Sequence, residues 1–230
     1  KQIGVYKHRI KNVMIVGGGR IGYYLSKLLS DTGRNIKLIE HSNEKCLQLA
    51  DTLPDEVTVI YGDGTDQDLL ISEGIEHWRI FSIFPAGRAK RDERLNLSAE
   101  QFRYLMEFIR TTRKEGRINL SYACEGFLGG YETEVRDHFY MCTAGVTVAS
   151  IRVNGDISGC TSVRGNYAQG NIYRDRFWDV WQNRFKPFRD REWTKRDECA
   201  ECKVWEFCRG GGMHLRDDNG KLMYCHYNFL

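Results

Sequence analysis

The sequence predicts an α/β fold in two parts: a Rossmann-like parallel sheet, built as βαβαβ plus a strand–helix–strand, then a small irregular cysteine-rich domain. Three observations carry this. Short apolar runs alternate with helix-period stretches between residues 12 and 122, a glycine triplet directly follows the first run, and seven of the eight cysteines fall after residue 120. The expected domains are residues 1–76, 77–122 and 123–230.

Val13-Met14-Ile15-Val16 is an apolar run ending in glycines, as a buried parallel strand would. A helix should follow with Leu25, Leu28 and Leu29 as its apolar stripe and Gly33 near its end. Strands at Ile36–Ile39 and Val57–Tyr61 then flank a helix around Glu44–Asp51. In the next segment Arg79–Phe84 reads as a strand stopped by Pro85 and Gly87. Ser98 and Gln101 form a reciprocal cap for a helix whose Phe102, Leu105, Met106 and Ile109 share a face, and Gly116 ends it. Ile118–Leu120 reads as another strand. Because crossovers between parallel strands are right-handed, the strands near 80 and 119 can extend the first three into one five-stranded layer. Beyond residue 123 the regular pattern stops. Val146–Val153 is a short strand candidate, and the aromatics from Phe177 to Phe188 recur at helical intervals, as core residues do.

Composition narrows the function. The chain has 230 residues, enough for one large or two small domains, with 41% hydrophobic and 28% charged residues. A net charge of +3 with interspersed acids, as in Arg88–Arg94, gives no case for nucleic acid. No apolar run approaches the roughly 20 residues of a membrane span, and no leader precedes the fold, so a cytoplasmic location without membrane insertion is expected. The opening Lys1 reads as the start of an excised or processed piece. In a reducing compartment clustered thiols are metal ligands more often than disulfides. Cys46, alone on its helix, reads as buried filler.

Gly17-Gly18-Gly19-Arg20-Ile21-Gly22 satisfies G-x-G-x-x-G at a strand-to-helix turn. Gly17 permits the tight turn, Gly19 lets backbone approach a pyrophosphate, and Gly22 lets helix and strand pack closely. The helix N-terminus then offers N–H groups to phosphate. Glu40, at the end of the second strand, is placed to accept from ribose hydroxyls, which favours NAD or ATP over NADP. Residues 11–76 resemble the nucleotide-binding RCK (KTN) domain of TrkA-type potassium-uptake regulators, through Val13–Gly22, Ile36–Glu40 and Tyr61-Gly62-Asp63-Gly64-Thr65-Asp66. The resemblance implies NAD(H) or ATP binding through Gly17, Gly19, Arg20, Ile21, Gly22 and Glu40, with Asp63 and Thr65 nearby. It also implies a peripheral role beside a potassium transporter.

Cys199-x2-Cys202-x5-Cys208, followed by Cys225, can set four thiolates round one centre, and spacing alone suits zinc or an iron–sulfur cluster. Upstream, Cys142-x12-Gly155-x4-Cys160 places Gly155-Asp156 at a hairpin tip that returns Cys160 toward Cys142. Together these resemble the SPASM domain of radical S-adenosylmethionine enzymes that modify peptides, and Trp78–Ala89 resembles the closing part of the barrel that precedes it. The resemblance implies a complete [4Fe–4S] cluster on Cys199, Cys202, Cys208 and Cys225. It implies a second on Cys142 and Cys160, which lacks a ligand because Gly212 stands where the pattern has cysteine. Cys124 can supply a third thiolate there, which leaves an iron open to solvent, substrate or a side chain such as His214; His214 otherwise reads as an ordinary surface or packing histidine. The sequence holds no C-x3-C-x2-C triplet, so autonomous radical chemistry is not expected.

The chain thus reads as a fusion with a seam near Glu76-His77. The leading expectation is a non-catalytic nucleotide- and cluster-binding chain that holds a peptide or protein, or passes electrons, with oligomerisation open. Two others stand beside it: a TrkA-like NAD- or ATP-sensing regulator with a structural zinc module, and an NAD(H)-linked electron-transfer protein.

Overall fold

The apolar runs near the start fold as three parallel strands, β1 (Asn12–Val16), β2 (Asn35–Glu40) and β3 (Val57–Tyr61), with β2 in the middle. The ladders run in register from Val16↔Ile39 to Glu40↔Tyr61, so all three strands end at one edge. Helices α1 (Arg20–Ser30), α2 (Asn43–Thr52) and α3 (Gln67–Ser72) connect them and lead out of β3. Ile36, Leu38, Leu49 and Val57 form the core of this layer. The computed structural model describes residues 11–84, 86–123 and 125–230, and the backbone divides into two units, Lys1–Glu76 and His77–Leu230.

The expected leucine stripe of α1 is corrected by the structure. The helix buries Gly22, Ser26 and Ser30, one small-residue row, and turns Ile21, Tyr24 and Leu28 outward at 84%, 67% and 72% exposure. A Cβ on Gly22 would lie 2.0 Å from the Gly17 carbonyl oxygen. That close approach fixes the narrow face of the helix against the strand, and of the three leucines only Leu29 reaches the core.

In the second unit β4 (His77–Ile80) pairs in parallel with β5 (Asn119–Tyr122) across α4 (Ala99–Glu115). The five-stranded layer is not formed: among the described residues these two strands make their own sheet. Phe102, Met106 and Ile109 of α4 are fully buried, as are Leu120 and Tyr122 of β5 or nearly so, which closes this crossover on itself. The Ser98–Gln101 capping box forms, and Gly116 ends the helix in the left-handed region. The β4 strand stops at Ile80 rather than Phe84, because the Ser82 N–H turns to the Glu125 carboxylate instead of a strand partner.

The rest is held by short elements. Strands β6 (Ser150–Ile151), β7 (Asp156–Ser158) and β8 (Gly170–Asn171) form a small antiparallel sheet, much shorter than the expected Val146–Val153 run. Helices α5 (Phe177–Asn183) and α6 (Lys186–Arg189) bury Val180, Phe185 and Phe188 against it, while Trp178 stays 63% exposed. The single turn α7 (Trp205–Cys208) carries the third cysteine of the late cluster.

Candidate functional site

The glycine turn sits at the C-terminal edge of the first sheet. Gly17 takes a φ of +96°, open to glycine and strained for other residues, and its N–H donates to the Ile39 carbonyl. No atom lies within 4 Å of a Cβ built on Gly19, so backbone there faces open space. Gly18, Gly19 and Arg20 line a shallow cleft of about 410 Å³ with Lys45 and Gln48 of α2. Ile21 points outward and away from the core.

Glu40 is buried, and its carboxylate already serves the loop. Gly18 N–H donates to Oε2 at 2.8 Å, and Ser42 N–H to Oε1 at 2.9 Å. These backbone donors, Ser42 first and then Gly18, hold its pKa below the usual carboxylate range against the effect of burial. His41 Nδ1 also stands 2.9 Å from Oε1, so Oε2 is the oxygen with the fewer partners. Cys46 adds to this edge: its thiol donates to the Glu40 carbonyl at 3.3 Å, and burial raises its pKa. Asp63 and Thr65 lie beyond β3 and bind one another, Asp63 accepting from the Thr65 N–H and hydroxyl at 2.8 Å each. The structure thus joins the glycine loop to Glu40, while Asp63 and Thr65 form a separate turn at the same edge.

In the second unit Cys199, Cys202, Cys208 and Cys225 line one small cavity of about 40 Å³, and all four are free thiols. That space suits a compact inorganic group and not an organic ligand, whose pockets run to several hundred Å³. Burial and then the neighbouring Cys225 push the Cys208 thiol up to about 11. Burial likewise raises Cys225. Were all four ionised they would repel one another unless a cationic centre held them. The Gly211 and Asn228 N–H groups donate to the carbonyl oxygens of Cys208 and Cys225, at 3.1 and 3.2 Å, and so fold the backbone tightly at both cysteines. Gly210 and Gly211, at φ of +74° and +77°, allow that turn of the chain. Successive N–H groups in such turns make the anion-holding nests found at many iron–sulfur sites. Among the described residues no three His, Cys, Asp or Glu side chains close around a single ion. Four cysteines are a donor set that suits either zinc or an iron–sulfur cluster.

Cys142 and Cys160 line a second, larger cavity of about 850 Å³, together with His214 and Glu125. The hairpin that returns Cys160 turns at Gly155, with φ of +86°. Cys124 lies outside the described residues.

Several polar groups around these cavities were silent in the sequence. Arg216 is 1% exposed and donates to the carbonyls of Gly210 and Gly220 at 2.7 Å, with Nη2 3.7 Å from Cys199 Sγ. Burial lowers its pKa, opposed by Cys199. Glu125 accepts from Ser82 Oγ at 2.6 Å and Tyr122 OH at 2.7 Å and stands 3.8 Å from His226, the neighbour of Cys225. Burial works to raise its pKa, but the nearby His226 and the Ser82 and Tyr122 hydroxyls bring it net below the usual range. Tyr140 is buried and lies near both Cys142 and Cys208, with burial holding its phenol protonated. None of these follows a spacing rule. An arginine eight residues after a cysteine carries no signal until the chain has folded.

Comparison with known proteins also divides the chain, though the first match runs past Glu76 to residue 99. Residues 13–99 match the TrkA-N domain, and residues 142–203 match SPASM, an iron–sulfur cluster-binding domain. Among curated proteins, the Trk system potassium uptake protein trkA homolog 1 of Methanosarcina mazei is 39% identical over 70 residues, 30% of this chain and 17% of that protein. TrkA of Halomonas elongata is 41% identical over 71 residues, 31% of this chain and 15% of its own length. The TrkA homolog of Archaeoglobus fulgidus is 42% identical over 65 residues, 28% of this chain and 15% of its own. The chain therefore spans about a sixth of the length of these relatives. It joins a TrkA-N segment to a SPASM segment, a fusion-like arrangement. No helix among the described residues is long and apolar enough to cross a membrane.

Proposed function

We propose that this chain is a cytoplasmic, non-catalytic carrier of an auxiliary [4Fe–4S] cluster on Cys199, Cys202, Cys208 and Cys225, joined to a nucleotide-binding βαβαβ segment. The observation that supports this reading is that those four free thiols line one small cavity. When bound, such a cluster stores or relays single electrons. The protein's part is to keep the thiols from pairing, to shield them from water beneath Trp205, Leu215 and Leu222, and to offset thiolate charge with Arg216. In a peptide-modifying pathway the chain would hold peptide or protein substrate, or pass electrons to a catalytic partner. The test is iron, sulfide and zinc content per chain after anaerobic preparation, with absorbance near 400 nm. Matched iron and sulfide with a brown colour supports the reading; a colourless zinc-loaded protein overturns it.

A second reading is favoured by the glycine loop and its TrkA-N match. In it Gly17, Gly19, Arg20, Ile21, Gly22 and Glu40 hold NAD(H) or ATP, with Asp63 and Thr65 beside it, and the chain senses nucleotide as a peripheral part of a potassium transporter. Ligand that binds only the folded state must raise its stability. NADH or ATP raising the thermal midpoint supports this; no shift with either nucleotide overturns it. Bleaching of the visible band by NADH would mark a route for electrons between the two segments.

A further inference from the structure

We infer that the cleft lined by Tyr167, Trp193, Lys186 and Arg196 is a peptide subsite, which takes an aromatic residue standing beside an acidic one. The inference rests on the peptide-holding role proposed above and gives that role a place, one lined by no cysteine.

An aromatic wall is in place before any ligand arrives. The cleft measures about 560 Å³, within the range of about 300–1,000 Å³ that organic ligands occupy. Trp193 is half-buried, and its indole N–H donates to the Pro187 carbonyl at 2.8 Å. The guanidinium of Arg216, itself 1% exposed, lies over the ring at 5.5 Å from its centroid. Tyr167 flanks it at 6.2 Å between centroids, with its own hydroxyl donating to the Asp217 carbonyl at 2.7 Å. Inward contacts thus fix both rings, and a wall that is already rigid loses little freedom when a further ring packs on it.

Charge decides what accompanies the ring. Arg196 donates to the Asn219 carbonyl, and a Cβ built on Gly220 would lie 2.6 Å from Arg196 Nη2 and 2.7 Å from Trp193 Cζ3. The guanidinium therefore sits against the indole, in space left because residue 220 has no side chain. Its pair with Asp197 is long, 3.8 Å between exposed groups, which leaves N–H donors for a carboxylate. Lys186, exposed on α6, is a second cation on the rim. Asp190 and Asp218 lie on the same rim, each accepting a backbone N–H, from Glu192 at 3.2 Å and from Asn166 at 2.8 Å. Two cations and two carboxylates cancel, so the rim has no net field to gather a polyanion, and a nucleotide phosphate would meet both carboxylates. A peptide carries both signs: an acid beside its aromatic residue reaches Arg196 or Lys186, and its N–H and ammonium groups face Asp190 and Asp218. Behind Trp193, Arg216 also stands 3.7 Å from Cys199 Sγ, so a peptide held here lies close to the thiol cavity.

The test uses the full chain with fluorinated tryptophan, prepared anaerobically and with its iron counted; Trp193→Phe assigns the Trp193 fluorine resonance. The probes are an acetylated and amidated Gly-Phe-Glu-Lys-Gly peptide, its Leu-for-Phe and Gln-for-Glu versions, and adenosine monophosphate. Each is followed by fluorine resonance and by calorimetry. We expect the parent peptide to move the Trp193 signal saturably and to leave that of the exposed Trp178 in place. Leu for Phe should weaken binding about fivefold. Lys186→Gln should weaken the parent peptide about threefold and leave the Gln version unchanged. Equal binding of the Phe and Leu peptides, or tighter binding of adenosine monophosphate, would overturn the assignment. Peptide binding by calorimetry with no movement at Trp193 would overturn this site and leave the peptide-holding role standing. No binding of any peptide to iron-loaded chain would overturn both the site and that role, with the cluster intact. Binding at Trp193 in a chain that takes up no iron would support the site and overturn the cluster reading alone. The decisive signal is read on the unsubstituted chain, so misfolding of a variant does not settle the outcome.

Discussion

The two units earn order in opposite ways. In the N-terminal unit three strands and their helices form a hydrogen-bonded, apolar layer, and the site is what that layer leaves at its edge: a glycine turn tied to Glu40. In the cysteine-rich unit the late segments contain few regular strands. Their chain is drawn instead around two cavities by buried arginines, aromatics and thiols. One fold makes its site as a by-product; the other is arranged about it. Altering site residues should therefore affect the second unit more than the first.

The largest expected effect comes from the thiols. Cys208→Ser, or removal of iron by a chelator, should strip hydrogen-exchange protection from residues 194–226 while amides of β1–β3 keep theirs, because metal binding in such small domains is folding free energy. Equal loss in both units would break the contrast. Next is Arg216→Met, which leaves the Gly210 and Gly220 carbonyls without their buried donor. Stripping each buried acceptor costs about 1–3 kcal/mol, and chemical denaturation followed by tryptophan fluorescence should show the second unit weakened, since all five tryptophans lie beyond residue 76.

Gly22→Ala tests the first unit. Its new Cβ would meet backbone oxygen rather than a movable side chain, and overpacking of this kind costs about 1–3 kcal/mol. Faster exchange confined to β1 and α1 is the expected result, and an unchanged profile would show that the helix has room to shift. The smallest effect is a pH dependence. The Glu40 carboxylate is held below its usual pKa by Ser42 and Gly18 N–H groups. Its contribution is complete above the unfolded value of about 4.3 and is lost as pH falls through the lowered folded value. Glu40→Gln should flatten that acid limb for β1–β3 amides and leave the pH profile of the second unit unaltered.

The sequence made the starts of the early strands, the Ser98–Gln101 cap and the Gly155 hairpin legible, because each depends on neighbours close in the chain. It misled at α1, where a leucine stripe suggested a buried face. There the decisive fact was a single backbone approach between Gly17 and Gly22, which periodicity does not weigh. The sheet was also overextended: strand order depends on which core α4 joins, and Phe102, Met106 and Ile109 close it onto β5. At the cavities the thiols were visible from spacing, whereas Arg216, Glu125 and Tyr140 were not. Their roles come from three-dimensional neighbours many residues away.

Glu125 stands as a party wall. It faces the wider cavity directly and reaches the smaller one through His226, whose ring lies beside Cys225. A charge added on either side changes how firmly this carboxylate is held, and so changes the electrostatic footing of the other side.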